Sequence, residues 1–354
     1  MVRRRTFLKY LVGLGAGLLP WYGWPELLNQ ANSRAGQSSN QTNHSPIFAS
    51  TNFTPQTSAS YLQRTAMEDI LALTQPELQG RLAGSVGEEK AAAYLIDQMQ
   101  GLGLHPLGDL LENNQRIYSH AFTIYPVVEE YQNFYFGRHL TFGPGNLKGL
   151  RTPSANIIGG LMGTNSDESV ILSAHYDHMG IFENNLYPGA NDNASGVGCI
   201  LDVMRRLIKE RVKPRRNVVL AFWSAEEMGF VGSFSFLKSP TIPLNGIQAV
   251  FNADTVGNGP LPEFALWAAS DNKAVQAIQA AAEENKARAR VTPNYDYNSD
   301  QYYFNLGQIP AVTLMARDWL DKNHTPEDVP DFVNPQKIAL AGDILYQAVQ
   351  RLAL

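Results

Sequence analysis

The sequence predicts an α/β fold, a three-layer sandwich with a mixed, largely parallel central sheet flanked by helices. Short apolar runs of strand length alternate with amphipathic stretches of helix length through the second half of the chain, the order that builds a sheet covered by helices. The runs are apolar at consecutive positions, such as Val170-Ile171-Leu172 and Val218-Val219-Leu220-Ala221-Phe222, as expected of strands buried on both faces. Three of these runs end directly on polar, chemically capable residues, and α/β sheets gather function at their strand ends.

Residues 1–30 read as an export signal. Arg4-Arg5-Thr6-Phe7-Leu8-Lys9 precedes sixteen uncharged residues, 10–25, fewer than the roughly twenty that a membrane span needs. The hexapeptide resembles the twin-arginine signal, with both arginines, the Phe-Leu pair and the lysine in place. It implies a protein that folds before export to a periplasmic or other extracytoplasmic location, touching the membrane in transit or through an uncleaved N-terminus. Residues 31–60, rich in Ser, Asn, Thr and Gln, have the composition of a solvated linker. Residues 61–354 then form the folded domain.

Within it, Tyr61, Met67, Ile70, Leu71 and Leu73 share a helical face that Pro76 ends. Ser85 and Glu88 make a capping box for a second helix reaching Gly101 or Gly103. Residues 121–136 read as strands, and 142–149, broken by glycine and proline, as turns. Further strands are expected at 156–159, 170–174, 218–223, 249–252, 264–268 and 311–315, with helices at 194–211, 230–237, 271–288 and 335–352.

Composition narrows the function. With 44% hydrophobic and 17% charged residues in 354, the chain is ordinary globular protein. The first thirty residues carry four Lys or Arg and one acid, so the rest of the chain, from a total of −5, has a net charge of −8. Lacking a basic cluster beyond 209–216, that body is a poor polyanion binder, which excludes nucleic acid as a partner. A single cysteine, Cys199, precludes an intramolecular disulfide, and its apolar neighbours suit a packed thiol.

The chemistry gathers at His175-Tyr176-Asp177-His178, at Asp192 within Gly189-Ala190-Asn191-Asp192-Asn193-Ala194-Ser195-Gly196, at Glu226-Glu227 and at Asp254. In a strand, residues i and i+2 share a side, so Asp177 could accept the second ring N–H of His175 and leave the other nitrogen free for a metal. Each element alone has an ordinary explanation: a hydrogen-bonded histidine, a turn aspartate, acids at a helix start. Together, an imidazole, an isolated carboxylate and a carboxylate pair are the parts of a zinc site with its general base.

With Asn252-Ala253-Asp254 and Asn323-His324-Thr325-Pro326-x-Asp328, these motifs resemble the M28 family of zinc peptidases, in the same order, from about Tyr61 to the C-terminus. The resemblance implies a zinc-exopeptidase-like fold and an aminopeptidase acting on peptides with a free N-terminus. It implies two Zn2+ ions, replaceable by other divalent metals: Asp192 bridging them, His175 and Asp254 completing one site, Glu227 and His324 the other. Glu226 would be the general base that activates a zinc-bridging water. Ser299-Asp300-Gln301 stands where many relatives have Ser-Asp-His, so Asp300 is expected beside Asp177 in a supporting shell of hydrogen bonds.

The alternatives are a glutaminyl cyclase using one zinc, another exopeptidase such as a carboxypeptidase or dipeptidase, and a metal-stabilised binding protein without catalysis. Tyr295, Tyr297 and Tyr302 are candidate oxyanion donors. His178, His120 and His139 read as structural, and Gly80-Arg81 as either a surface turn or a loop packed near the site. Pocket walls are expected from 182–188, 258–262 and 293–303, whose aromatic content suits hydrophobic side chains.

Overall fold

Thr65 divides the first helical stretch in two. α1 (Ala59–Gln63) and α2 (Ala66–Leu73) meet at Thr65, whose backbone is extended and whose hydroxyl accepts the Glu68 N–H while the Glu68 carboxylate accepts the Thr65 N–H. The expectation of one continuous helix missed this complete capping box. As a result Ile70 and Leu73 face the core, whereas Leu71, expected on the same face, is 47% exposed. Buried Asp69 of α2 takes a two-pronged hydrogen bond from Arg205, at 2.6 and 3.0 Å. Deleting one partner of such a pair strands the other charge, at a cost of about 3–5 kcal/mol.

The computed structural model describes residues 58–134, 137–146, 148–292 and 298–354; the expected export signal and nearly all of the linker lie outside the described residues. α3 (Val86–Gly101) starts where expected, with Ser85 accepting the Gly87 and Glu88 N–H groups. The box is only half made. The Glu88 carboxylate turns inward and accepts from the Ser154, Ser224 and Tyr176 hydroxyls and the Gly84 N–H.

The strands that follow are β1 (His105–Pro106), β2 (Ser119–Ile124), β3 (Val127–Phe134), β4 (Gly137–Pro144), β5 (Thr152–Leu161), β6 (Asn165–His175), β7 (Gly180–Phe182) and β8 (Asn185–Tyr187). After them come α4 (Ser195–Lys209), β9 (Arg216–Trp223), α5 (Val231–Lys238), β10 (Ile247–Ala253), β11 (Glu263–Trp267), α6 (Lys273–Glu284), β12 (Arg288–Val291), α7 (Gln301–Leu306), β13 (Ala311–Ala316) and α8 (Pro335–Ala353). Two expectations are corrected. Residues 142–144, read as turns, end β4, because Phe142 and Gly143 pair with Glu129 and Val128 across a hairpin. The helix expected over 271–288 stops at Glu284, and Arg288 begins a strand beside β11.

The main sheet runs β1-β5-β9-β6-β10-β13-β11-β12, with β2 also on β5. Its centre, β9-β6-β10-β13, is parallel, and the joins to β5 and β11 are antiparallel. Alternate residues of one strand feed opposite cores. Val170, Leu172, Val218, Leu220, Phe222 and Phe251 pack with α2, α3, α4, α6 and α8 on one face, and Ile171, Val219, Ala221, Trp223 and Val250 with Phe236 of α5 and Phe304 of α7 on the other. This gives the three layers. No helix among the described residues is long and apolar enough to cross a membrane. β3 and β4 form a hairpin outside the main sheet, as do β7 and β8.

Candidate metal centre

Parallel pairing sets the site. In register, His175 at the end of β6 lies opposite Trp223 at the end of β9, and Ser173 opposite Asn252 of β10. The residues that leave these three strands, His175, Glu226 and Asp254, therefore emerge on one rim. Asp192 arrives from the turn before α4, and His324 from the irregular segment after β13.

His175 Nε2 lies 3.2 Å from Asp192 Oδ1 and 3.5 Å from Asp254 Oδ1. His324 Nε2 lies 3.1 Å from Asp192 Oδ2 and 2.9 Å from Glu227 Oε2. Asp192 thus stands between two imidazoles, one on each carboxylate oxygen. The donors of a tetrahedral zinc with ligands at about 2.0–2.1 Å stand roughly 3.3 Å apart, so this set of imidazole and carboxylate atoms fits zinc in both spacing and chemistry. The Glu226 carboxylate joins the cluster, within 4.8 Å of His175 and Asp254 ligand atoms.

Electrostatics reflect the crowding of acids. Burial alone would lower His175, yet Glu226, Asp177, Asp192 and Asp254 together raise it well above the usual imidazole range. His324 is raised likewise against burial by Glu227 and Asp192. Burial, reinforced by Glu227, Asp254 and Asp300 and opposed by His175, lifts Glu226 well above an ordinary carboxylate. Glu227 is held down to about 2, His324 and a hydrogen bond from His178 outweighing its burial.

The supporting shell differs in part from expectation. Asp177 Oδ1 is 3.7 Å from His175 Nδ1, too far for a hydrogen bond; it accepts the Glu226 N–H at 3.1 Å. The ring N–H points instead to the Asp177 main-chain carbonyl, at 3.3 Å. Asp177 therefore orients the Glu226 loop, and its backbone orients His175. Asp300 is buried beneath the cluster, without a hydrogen bond to either oxygen among the described residues, and burial raises it to about 7. Gln301 accepts from Thr313 and from the Ser299 N–H, which locks the segment that carries Asp300.

Asn191, Asn193 and Ser195 fasten the Asp192 turn to the Asp254 segment rather than merely shaping a turn. Asn191 Oδ1 accepts from Gly257, Asn193 Oδ1 from Thr255, and Ser195 Oγ from Val256, while Asn193 Nδ2 donates to the Ala253 carbonyl. From the other side, Asp328 accepts the Asn191 and Asp192 N–H groups at 2.7 and 2.9 Å. Asn323 donates to Asp192 Oδ2.

Gly80-Arg81 is packed at the site. Arg81 is fully buried and gives its guanidinium to the carbonyls of Leu73, Tyr176, Pro188 and Gly189, which ties the end of β6 to the approach of Asp192. Gly80 has φ +67°, and a Cβ there would meet the Gly180 and Tyr187 carbonyls at 2.5 Å, so only glycine fits. His178 Nδ1 lies 2.8 Å from Glu227 Oε1, which makes it a support for an acid of the site. His120 is structural, bonded to Ser239 and Asn156. Tyr302 packs against Phe230 and Tyr303; Tyr295 and Tyr297 lie outside the described residues.

A sequence model described as peptidase family M28 matches residues 156–349. Aminopeptidase YwaD of Bacillus subtilis (strain 168) is 27% identical over 193 residues, covering 51% of this chain and 40% of the relative. A probable glutamate carboxypeptidase of Arthroderma benhamiae is 33% identical over 118 residues, covering 32% and 15%. The chain thus spans less than half the length of either relative. Among solved structures, BSAP, a zinc aminopeptidase from Bacillus subtilis, superposes with a TM-score of 0.64 at 19% identity, covering 81% of this chain and 94% of that one. The glutaminyl cyclase of Porphyromonas gingivalis superposes with a TM-score of 0.58 at 15% identity, covering 81% and 97%. Identities this low carry the fold alone.

Proposed function

Because the chain belongs to peptidase family M28, we propose that it is a metallo-aminopeptidase holding two zinc ions and releasing N-terminal residues from peptides. The observation that carries this reading is Asp192, presenting one oxygen to His175 and the other to His324. Asp192 would be shared between the two ions, His175 and Asp254 would hold one, and Glu227 and His324 would hold the other. When bound, the ions polarise the scissile carbonyl and acidify the attacking water.

Glu226 does the proton work. Its main-chain N–H is fixed by Asp177, and its buried carboxylate lies beside the ligand atoms of His175 and Asp254, where it can act as a positioned base. It takes a proton from the water as oxygen attacks the carbonyl carbon, then gives it to the amide nitrogen as the C–N bond breaks. His178, Asp328, Asn323 and Arg81 hold the acids and their loops in place, so the site needs little rearrangement during reaction.

A panel of aminoacyl substrates with free and acetylated N-termini tests the activity. Release only from free N-termini is the expected result. Release from the C-terminal end would replace this reading with a carboxypeptidase, and loss of ammonia from a glutamine-initiated peptide, without loss of a residue, with a glutaminyl cyclase.

The proposed location is extracytoplasmic, supported by Arg4-Arg5-Thr6-Phe7-Leu8-Lys9 and the apolar stretch after it. Changing Arg4 and Arg5 together to lysine should leave the protein in the cytoplasmic fraction. An unchanged distribution between fractions would refute twin-arginine export.

A further inference from the structure

His324 is the most exposed of the five proposed ligands. It lies in the irregular segment 317–329, with φ +53°, a left-handed conformation that a non-glycine residue adopts at a cost. Its side chain is 19% exposed, against 1% for His175, 5% for Asp192, 4% for Glu227 and 8% for Asp254. Residues outside that segment help to hold it.

The β3–β4 hairpin does so at two points. The Leu140 carbonyl lies 2.8 Å from His324 Nδ1, and the Leu140 N–H donates to the His324 carbonyl at 3.3 Å. A carbonyl can only accept, so Nδ1 carries the proton, and in the neutral ring Nε2 keeps its lone pair toward Asp192 and Glu227. The hairpin is itself anchored beside the site. Val127 and Phe142 pack on a small cluster of Ala83, Ile124, Ala225 and Met228, the last two flanking Glu226-Glu227; Leu140 packs with Met179 and Tyr187. It also precedes the segment that matches the family, residues 156–349.

We propose that strands β3 and β4 are a positioning element for the metal centre, fixing the ring of His324 through the Leu140 main chain and so setting metal affinity on the His324–Glu227 side. The inference rests on the reading of His324 as a metal ligand. Its consequence is that this side of the centre binds metal more weakly when the hairpin is absent, while the His175–Asp254 side is unchanged.

The fold offers a clean excision. Gly145 N–H already donates to the Pro126 carbonyl at 3.1 Å, the bond between positions i and i+3 of a β-turn. Replacing residues 127–144 with Asn-Gly would therefore close the chain in a two-residue turn. The metal-free protein is then titrated with Zn2+ and with Co2+, following ions bound per chain and the cobalt visible spectrum.

One of two tight ions should weaken by about 10–100-fold, the usual effect of losing a ligand's outer support, with cooperative unfolding retained. Two ions held as tightly as in the full chain would overturn the proposal. His324→Ala in the full chain is the control for the underlying reading. It should abolish the same site, and if it leaves two tight ions, His324 is not a ligand and that reading fails independently of the hairpin.

Leu140→Pro covers the case in which the excised protein does not fold. The Leu140 N–H points to His324 rather than to β3, so proline deletes that anchor without removing a bond of the hairpin ladder. Weakening of the same single ion, with the other unchanged, is expected; unchanged binding of both would again overturn the proposal.

Discussion

Glu226→Gln should lower kcat by about 10²–10⁴-fold, the range attributed to a positioned general base, while both metals stay bound and the melting temperature stays close to that of the parent. Glutamine keeps the size of the side chain and an acceptor oxygen but takes up no proton at neutral pH. The Asp177 contact to residue 226 is made through the main chain and survives the change. The donor pairs formed by His175, Asp192, Asp254, Glu227 and His324 do not include Glu226. Metal content by elemental analysis and turnover on a free aminoacyl substrate together check this. A variant with kcat within tenfold of the parent assigns the proton transfer to another group, and one that loses metal makes Glu226 a ligand.

Much of that site was legible before the fold was known, for a physical reason. Strand ends in a parallel sheet converge on one rim, so His175, Glu226 and Asp254, each just past an apolar run, announce their neighbourhood through local sequence alone. Asp192 was legible because glycine and asparagine mark a turn directly before a helix. The resemblance to a known family supplied His324, which follows no strand and sits among turns.

The supports were far less legible. Asp328 lies more than one hundred residues from the main-chain groups it caps, Asn191 and Asp192, and a single carboxylate in a loop carries no periodicity to reveal such a partner. Arg81 looks like any surface arginine until four carbonyls are seen around it. Leu140 acts through its main chain, which no side-chain pattern can signal. The capping boxes show the limit of local motifs. Thr65-x-x-Glu68 closes and breaks a helix, whereas Ser85-x-x-Glu88 stays half open because a buried cluster of hydroxyls competes for the carboxylate.

Removing the proposed ligands one at a time should resolve how many ions the centre holds. Asp192→Ala is expected to abolish both tight sites, since its two oxygens face different imidazoles. His175→Ala and His324→Ala should each leave one ion. Each loss should lower kcat/KM by about 10³-fold if the missing ion supplies roughly 4 kcal/mol of transition-state stabilisation. Stability should follow occupancy. Without metal, Asp177, Asp192, Glu226, Asp254, Asp300 and Asp328 remain buried in one region, where burial and mutual repulsion already lift Asp177, Glu226 and Asp300, and unpaired buried charge costs several kcal/mol. A chelator should therefore lower the melting temperature of the parent more than that of Asp192→Ala, which has no tight ion left to lose. The competing reading makes the opposite forecast. If the parent binds a single zinc, then one of His175→Ala and His324→Ala will hold as much metal as the parent, and turnover of glutamine-initiated peptides by cyclisation becomes the reaction to pursue.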